Sequence, residues 1–182
     1  MLNIIFFLDN TVLEWLLQYR SDLGVFFFRL LTEFASPASG ITFIFFLGLY
    51  FYRHHKWQLG LMNLIGLLTA EATTWGLKHL IARPRPLETF HAVVETSFSF
   101  PSGHATTAAF IFGLIGYLAT THTTSKTNKR WILGLTCLSI LLIDISRLYL
   151  GVHYLSDVIV GNFIGICALF LTLRLEKYLA KK

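Results

Sequence analysis

Five apolar stretches separated by short polar loops constrain this chain more than any other feature. They cover roughly residues 38–52, 57–81, 106–121, 131–145 and 155–173. A helix needs about 20 mostly apolar residues to cross a bilayer. The first stretch is short for that task unless it starts near Phe34. In hydrocarbon, every backbone N–H and C=O must find its partner inside the protein, which a helix provides. The composition agrees: 54% of the 182 residues are hydrophobic and only 14% charged, with mean hydropathy +0.61. A soluble domain carries about 25% charged residues. No repeat or low-complexity linker divides the chain. The expected fold is therefore all-α: a polytopic membrane helix bundle of about five transmembrane helices, forming a single domain over residues 1–182.

Residues 9–35 read differently. They mix Phe26, Phe27, Phe28, Leu30 and Leu31 with Glu14, Arg20, Asp22, Arg29 and Glu33, a pattern that suits one or two helices lying in the membrane interface before the core of residues 36–182. Ser36-Pro37 breaks the chain before the first clear span. Residues 1–8 have no basic region and make a poor signal peptide. Cys137 and Cys167 lie in apolar runs and are expected to be buried free thiols.

The lysines and arginines set the orientation. Arg53 and Lys56 follow the first span, Lys126, Lys129 and Arg130 the third, and Arg174, Lys177, Lys181 and Lys182 the fifth. With five spans all nine fall on one side, which marks the cytoplasm. The net charge of +5 is divided among these loops and the clusters below, with no basic stripe, so nucleic acid is not an expected partner.

Three polar clusters then fall on the opposite face. The first holds Lys78, Arg83 and Arg85-Pro86; the second is Pro101-Ser102-Gly103-His104; the third is Ser146-Arg147, then His153, then Asp157. Charges at membrane depth are costly and read as functional. Lys78, Arg85 and Arg147 can supply N–H donors to the oxygens of a phosphoryl group. Taken alone, Lys78 and Arg83 are also ordinary snorkelling residues at a helix end. Ser102 fits a helix N-cap, Gly103 permits close approach of an anion to backbone, and helix N-termini favour phosphate. His104 is placed to protonate a leaving oxygen. A bare helix cap is the plainer reading of that motif. His153 and Asp157, four apart, share a helical face, so the carboxylate can fix the imidazole tautomer and leave the other nitrogen as a nucleophile. The plainer reading is a histidine capped by a carboxylate. His104, His153 and Asp157 also resemble metal ligands, but three nearby cations oppose a divalent ion, so no metal and no cofactor is expected. Asp144, three residues before Arg147, and Glu71, seven before Lys78, are candidates to hold those cations in place, and Arg83 to assist Arg85.

Taken together, Lys78 with Arg85-Pro86, Pro101 to His104, and Ser146-Arg147 with His153 and Asp157 resemble the three-part signature of the type 2 phosphatidic acid phosphatase (PAP2) superfamily. The resemblance covers residues 78–157 and every signature position. It implies a metal-independent mechanism with His153 as nucleophile, Asp157 orienting it, and His104 as acid and then base. Lys78, Arg85, Ser102, Gly103 and Arg147 would hold the phosphate. Bacterial lipid phosphatases of this family often have six spans; here the span expected before Asp9 is absent or reduced to residues 1–8.

The expected function is a plasma-membrane lipid phosphatase with an extracytoplasmic site, acting through a phosphohistidine. Its partners are the bilayer and a lipid phosphate: undecaprenyl pyrophosphate, phosphatidylglycerol phosphate or phosphatidic acid. A lipid A phosphatase, a lipid phosphotransferase and a non-catalytic lipid-phosphate-binding protein are the alternatives. Residues 87–100, which include Glu88, His91 and Glu95, are the expected substrate-selective loop. No oligomeric state follows from the sequence.

Overall fold

The computed structural model describes residues 2–179; Lys181 and Lys182, two of the nine loop cations, lie outside the described residues. Seven helices follow one another: α1 (Leu2–Gln18), α2 (Asp22–Glu33), α3 (Pro37–Arg53), α4 (Trp57–Ile81), α5 (Gly103–Thr121), α6 (Lys126–Tyr149) and α7 (Leu155–Leu179). The long α4–α5 connection carries one 3₁₀ turn, Glu88–Phe90, and no strand occurs among the described residues.

All five expected spans exist as helices, and their ends follow capping rather than the edge of the apolar run. α5 starts at Gly103 because Ser102 caps it, and α6 starts at Lys126 because Ser125 accepts from the Asn128 N–H. α5, α6 and α7 are long and apolar enough to cross a bilayer. α3 reaches that standard only together with α2, the pair being bent by 40° at the Ser36-Pro37 break. α4 has the length, but Asn63, Glu71, Thr74 and Lys78 dilute its apolar character. Residues 2–35 form two helices, the first of which begins at Leu2 and absorbs the apolar stub before Asp9.

α5 lies at the centre, packed on α6 and α7, while α4 packs on α3 and α7. Ile44, Leu67, Phe110, Ile111, Leu114 and Leu169 form the main apolar core. Small residues set the α5–α7 approach. A Cβ on Gly161 would lie 2.5 Å from the Ser102 carbonyl oxygen, and one on Gly165 would lie 2.4 Å from that of Thr106. This small-xxx-small spacing brings backbones together where lipid offers no hydrophobic drive. Thr106 uses the proximity to donate to the Gly161 carbonyl at 3.1 Å. The N-terminus of α5 is thereby held against the first turn of α7.

The bundle has two chemically different ends. His54, Lys56, His122 and Lys177 line a recess at one. The three polar clusters gather at the other. Cys137 and Cys167 are free, as expected, but not buried: Cys137 is exposed and Cys167 half-buried, because both sit on outward faces of their helices.

Candidate active site

Each cluster arrives on a helix end or a loop pinned to one. Lys78 lies in the last turn of α4, whose left-handed C-cap at Ala82 turns the chain into the Arg83–Pro86 loop. The Ser99 N–H donates to the Arg83 carbonyl at 2.9 Å and the Ala92 N–H to the Leu150 carbonyl at 2.9 Å, fastening that loop to the α6–α7 corner. The corner needs Gly151: its φ is +73°, and a Cβ there would lie 2.1 Å from the Phe90 carbonyl oxygen. Arg20 closes the same corner. Its guanidinium donates to the Tyr149 carbonyl at 2.7 Å and to the Phe90 carbonyl at 2.8 Å.

His153 sits in this corner, 2% exposed, just before α7. Its Nδ1 is 3.4 Å from Asp157 Oδ2 and its Nε2 is 3.3 Å from Arg85 Nη1. A carboxylate accepts only, and a guanidinium donates only. The neutral ring therefore carries its proton on Nδ1 and presents a lone pair at Nε2. Burial, reinforced by Arg147 and Arg85 against the opposing pull of Asp157, pushes the imidazole down to about 4, so it is neutral at pH 7.

Asp157 is fully buried and partnered at both oxygens. It accepts from the Tyr154 N–H at 2.9 Å, from Arg83 Nη1 at 2.7 Å and from the Ser99 hydroxyl in a short bond. Arg83 is thus directed to Asp157 and away from the anion seat. The same guanidinium donates to Asp9 on α1 at 2.7 Å.

Arg85 and Arg147 face one another across Glu95. Glu95 accepts from Arg85 Nη2 at 3.2 Å and makes a short ion pair with Arg147. Burial alone would raise its carboxyl; Arg147 and Arg85 outweigh that and hold it below the usual value. Arg147 is buried, donates also to the Thr32 hydroxyl at 3.2 Å, and keeps its Nε without a partner. Arg85 is fixed by the carbonyls of Ser97 at 2.6 Å and Val152 at 2.8 Å. A carboxylate of this chain therefore lies between the two arginines, where their donors converge.

Lys78 spends one donor on the Phe98 carbonyl at 2.6 Å and lines a cavity of about 860 Å³ together with Arg85, Glu95, Glu71 and Gly103. A Cβ on Gly103 would meet only Pro37 and Glu71, at 3.8 and 4.0 Å. The missing side chain leaves cavity space open and relieves no clash. Ser102 is buried and occupied as the α5 cap, accepting from the Ala105 N–H at 3.4 Å, while its own N–H donates to the Asp157 carbonyl at 3.0 Å. His104, in the first turn of α5, lies within electrostatic reach of Arg147, His153, Arg85 and Lys78. Its ring makes no hydrogen bond among the described residues. Glu71 accepts from the Thr107 hydroxyl at 2.7 Å and lines the same cavity.

Asp144 needs a correction. It does not touch Arg147; it accepts from the Asn162 side chain on α7 at 2.6 Å. Three residues of separation places two side chains near one face without fixing where each points, and Asp144 turns to the neighbouring helix as buried polar glue.

Sequence reasoning missed Asp9 and Thr32, and named Glu95 and Ser99 only as part of a loop. Asp9 carried one signal, a lone carboxylate among Phe6, Phe7, Leu8 and Val12. Thr32 carried none.

A buried neutral histidine oriented by a carboxylate faces two converging arginines at the end of a bundle whose helices α5, α6 and α7 are long and apolar enough to cross a membrane, an arrangement suited to an oxyanion. Comparison with known proteins agrees: residues 57–181 match the PAP2 superfamily, and the chain belongs to it. It is 38% identical over 126 residues to phosphatidylglycerophosphatase B of Bacillus subtilis, covering 68% of this chain and 60% of that one. It is 29% identical over 124 residues to the undecaprenyl-diphosphatase of Sulfolobus acidocaldarius, covering 65% and 56%. The chain thus spans less than two thirds of the length of these curated relatives. The fold is similar to the crystal structure of a transmembrane PAP2-type phosphatidylglycerolphosphate phosphatase from Bacillus subtilis, with TM-score 0.87, 28% identity, and coverage of 97% of this chain and 88% of that one.

Proposed function

We propose that the protein is a metal-independent lipid phosphatase of the plasma membrane that cleaves a phosphomonoester or pyrophosphate head group through a phosphohistidine on His153. The single observation that carries this reading is the orientation of His153: Nδ1 toward Asp157 and Nε2 toward Arg85. That arrangement leaves a lone pair facing the place where Arg85 and Arg147 converge.

The substrate phosphate takes the seat between Arg85 and Arg147, displacing the Glu95 carboxylate, with Lys78 and the N–H groups at the α5 start as further donors. His153 Nε2 forms a bond to phosphorus while the bond to the leaving oxygen breaks. A protonated His104 gives that oxygen its proton. Water then adds to phosphorus, the N–P bond breaks, and the water proton returns to His104. The three oxygen-directed cations, Lys78, Arg85 and Arg147, stabilise charge on the transferring group without a metal. The commitment of Asp157 to Arg83, Ser99, the Tyr154 N–H and His153 supports that reading, since the carboxylate is already engaged by a cation and three hydrogen-bond donors.

The head group must be joined to a hydrophobic tail, because the cavity opens at the end of membrane-spanning helices. Phosphatidylglycerol phosphate and undecaprenyl pyrophosphate fit best, since the relatives named above act on a phosphatidylglycerol phosphate and a prenyl diphosphate. The distribution of the nine loop cations along the sequence supports a cytoplasmic location for the opposite end of the bundle and an extracytoplasmic site. Residues 1–182 act as one domain, since α1, α2 and the family-matched core all contribute to the site.

A panel of purified lipid phosphates and pyrophosphates, assayed for inorganic phosphate with His153→Ala as blank, tests the reading. Turnover of at least one lipid that survives EDTA is expected. Loss of turnover in EDTA with rescue by a divalent ion overturns the metal-free mechanism, and release of phosphate by His153→Ala overturns the nucleophile.

A further inference from the structure

Asp9 is 2% exposed on a helix whose preceding residues Ile4 to Leu8 are exposed and apolar, and it lies outside the residues matched to the family. Every acceptor it offers is used on the site. Oδ1 accepts from the Ser156 N–H at 2.8 Å, in the first turn of α7. Oδ2 accepts from the Ser156 hydroxyl at 2.6 Å and from Arg83 Nη2 at 2.7 Å. Arg83 donates through Nη1 to Asp157 Oδ1 at 2.7 Å and to the Ser156 hydroxyl at 2.7 Å. Its guanidinium also stacks 4.2 Å from the Tyr154 ring and 5.8 Å from that of Phe6 on α1. One cation is therefore divided between two carboxylates, and the second of them holds His153.

We propose that Asp9 is a positioning residue of the phosphoryl-transfer reaction, acting through Arg83 and Ser156 on Asp157. The proposal rests on the reading of His153 as nucleophile. The physical argument concerns where the charge of Arg83 goes. With Asp9 present, Arg83 is neutralised from one side, and Asp157 keeps enough negative charge to hold the Nδ1–H of His153 and to favour the positive ring that develops as Nε2 attacks. Without it, the whole charge of Arg83 falls on Asp157, and the first turn of α7 loses the acceptor that fixes Ser156. The nucleophile then becomes weaker and less well aimed. Binding of the phosphate, which uses Arg85, Arg147 and Lys78, is left intact.

The experiment uses the full chain in detergent micelles with a lipid phosphate that the wild type turns over, His153→Ala serving as blank. Wild-type turnover with a dead His153→Ala upholds the parent reading before Asp9 is judged. Rates are normalised to active sites by the amplitude of the phosphoenzyme burst. Asp9→Asn keeps size and an acceptor for the Ser156 N–H but removes the charge. Its kcat per active site falls about 10–100-fold with KM within about twofold. The double variant Asp9→Asn with Arg83→Gln is no slower than the slower single variant, because both act along one chain. If Asp9→Asn folds poorly, Arg83→Lys, which presents a point charge in place of the fork, is expected to show the same split between kcat and KM. An unchanged kcat per active site with fewer active sites would make Asp9 a structural residue and overturn the proposal. A rise in KM with kcat intact, or additive effects in the double variant, overturns it as well.

Discussion

Replacing Glu95 by glutamine should tighten the binding of phosphate-like anions, contrary to the usual effect of altering an active-site residue. Glu95 accepts from Arg85 at 3.2 Å and pairs with Arg147, so an entering anion must break both interactions before it can make its own. A hydrogen bond to a charged group contributes about 1.5–3 kcal/mol. The Glu95 side chain keeps 22% exposure, so solvent screens part of this. The amide of E95Q retains one neutral acceptor for these arginines. A competing anion therefore regains about 1–2 kcal/mol, or about 5–30-fold in its inhibition constant. The assay is inhibition of lipid phosphate hydrolysis by orthovanadate and by orthophosphate at fixed ionic strength, wild type against E95Q. An inhibition constant that is unchanged or higher in a monodisperse E95Q preparation refutes the argument, because the seat between the arginines would then not be where the anion binds.

Three more outcomes follow from the geometry. Burial pushes the His153 imidazole from its ordinary 6.5 down to about 4, so the proposed nucleophile stays neutral through mildly acid solution. The enzyme's contribution to kcat/KM, after correction for ionisation of the substrate phosphate, should hold down to about pH 5 and fall only as pH drops through about 4; a limb at 6.5 contradicts the buried imidazole. Asp144→Asn should keep kcat/KM within about threefold, since its carboxylate meets Asn162 and no site cation, and should lower thermal stability by about 1 kcal/mol; a hundredfold loss of activity with the fold intact would contradict that. Gly161→Val should lower both activity and stability, by 2 kcal/mol or more on the order of an overpacked core, because its Cβ meets the Ser102 carbonyl at 2.5 Å and displaces the α5 cap; thermal melting together with phosphate release checks both.

The helices were legible because apolar runs long enough to span a bilayer leave little choice of secondary structure. The clusters were legible because cations and imidazoles in such a chain have few other uses. The pairings between distant carboxylates and arginines were not. Asp9 and Arg83 are 74 residues apart, and Glu95 and Arg147 are 52 apart. A sequence shows that such charges exist but not which of them meet, since packing of α1 and of the 82–102 loop decides it. The Asp144 assignment failed for a related reason: helical spacing placed it near Arg147, yet the side chain turned to α7. Arg83 shows the reverse case. Counting from Lys78 selected Arg85 for the anion, and the structure gives Arg83 a different target, Asp157.

The phosphoenzyme itself tests the account most directly. The wild type is mixed with a lipid phosphate labelled in the phosphoryl group, quenched within one turnover and digested. The prediction is one acid-labile, base-stable phosphoryl adduct on the peptide containing His153, absent from His153→Ala and slower to form in Asp157→Asn. Turnover with no such adduct, or an adduct on His104, would contradict the assignment of His153 as the atom that attacks phosphorus.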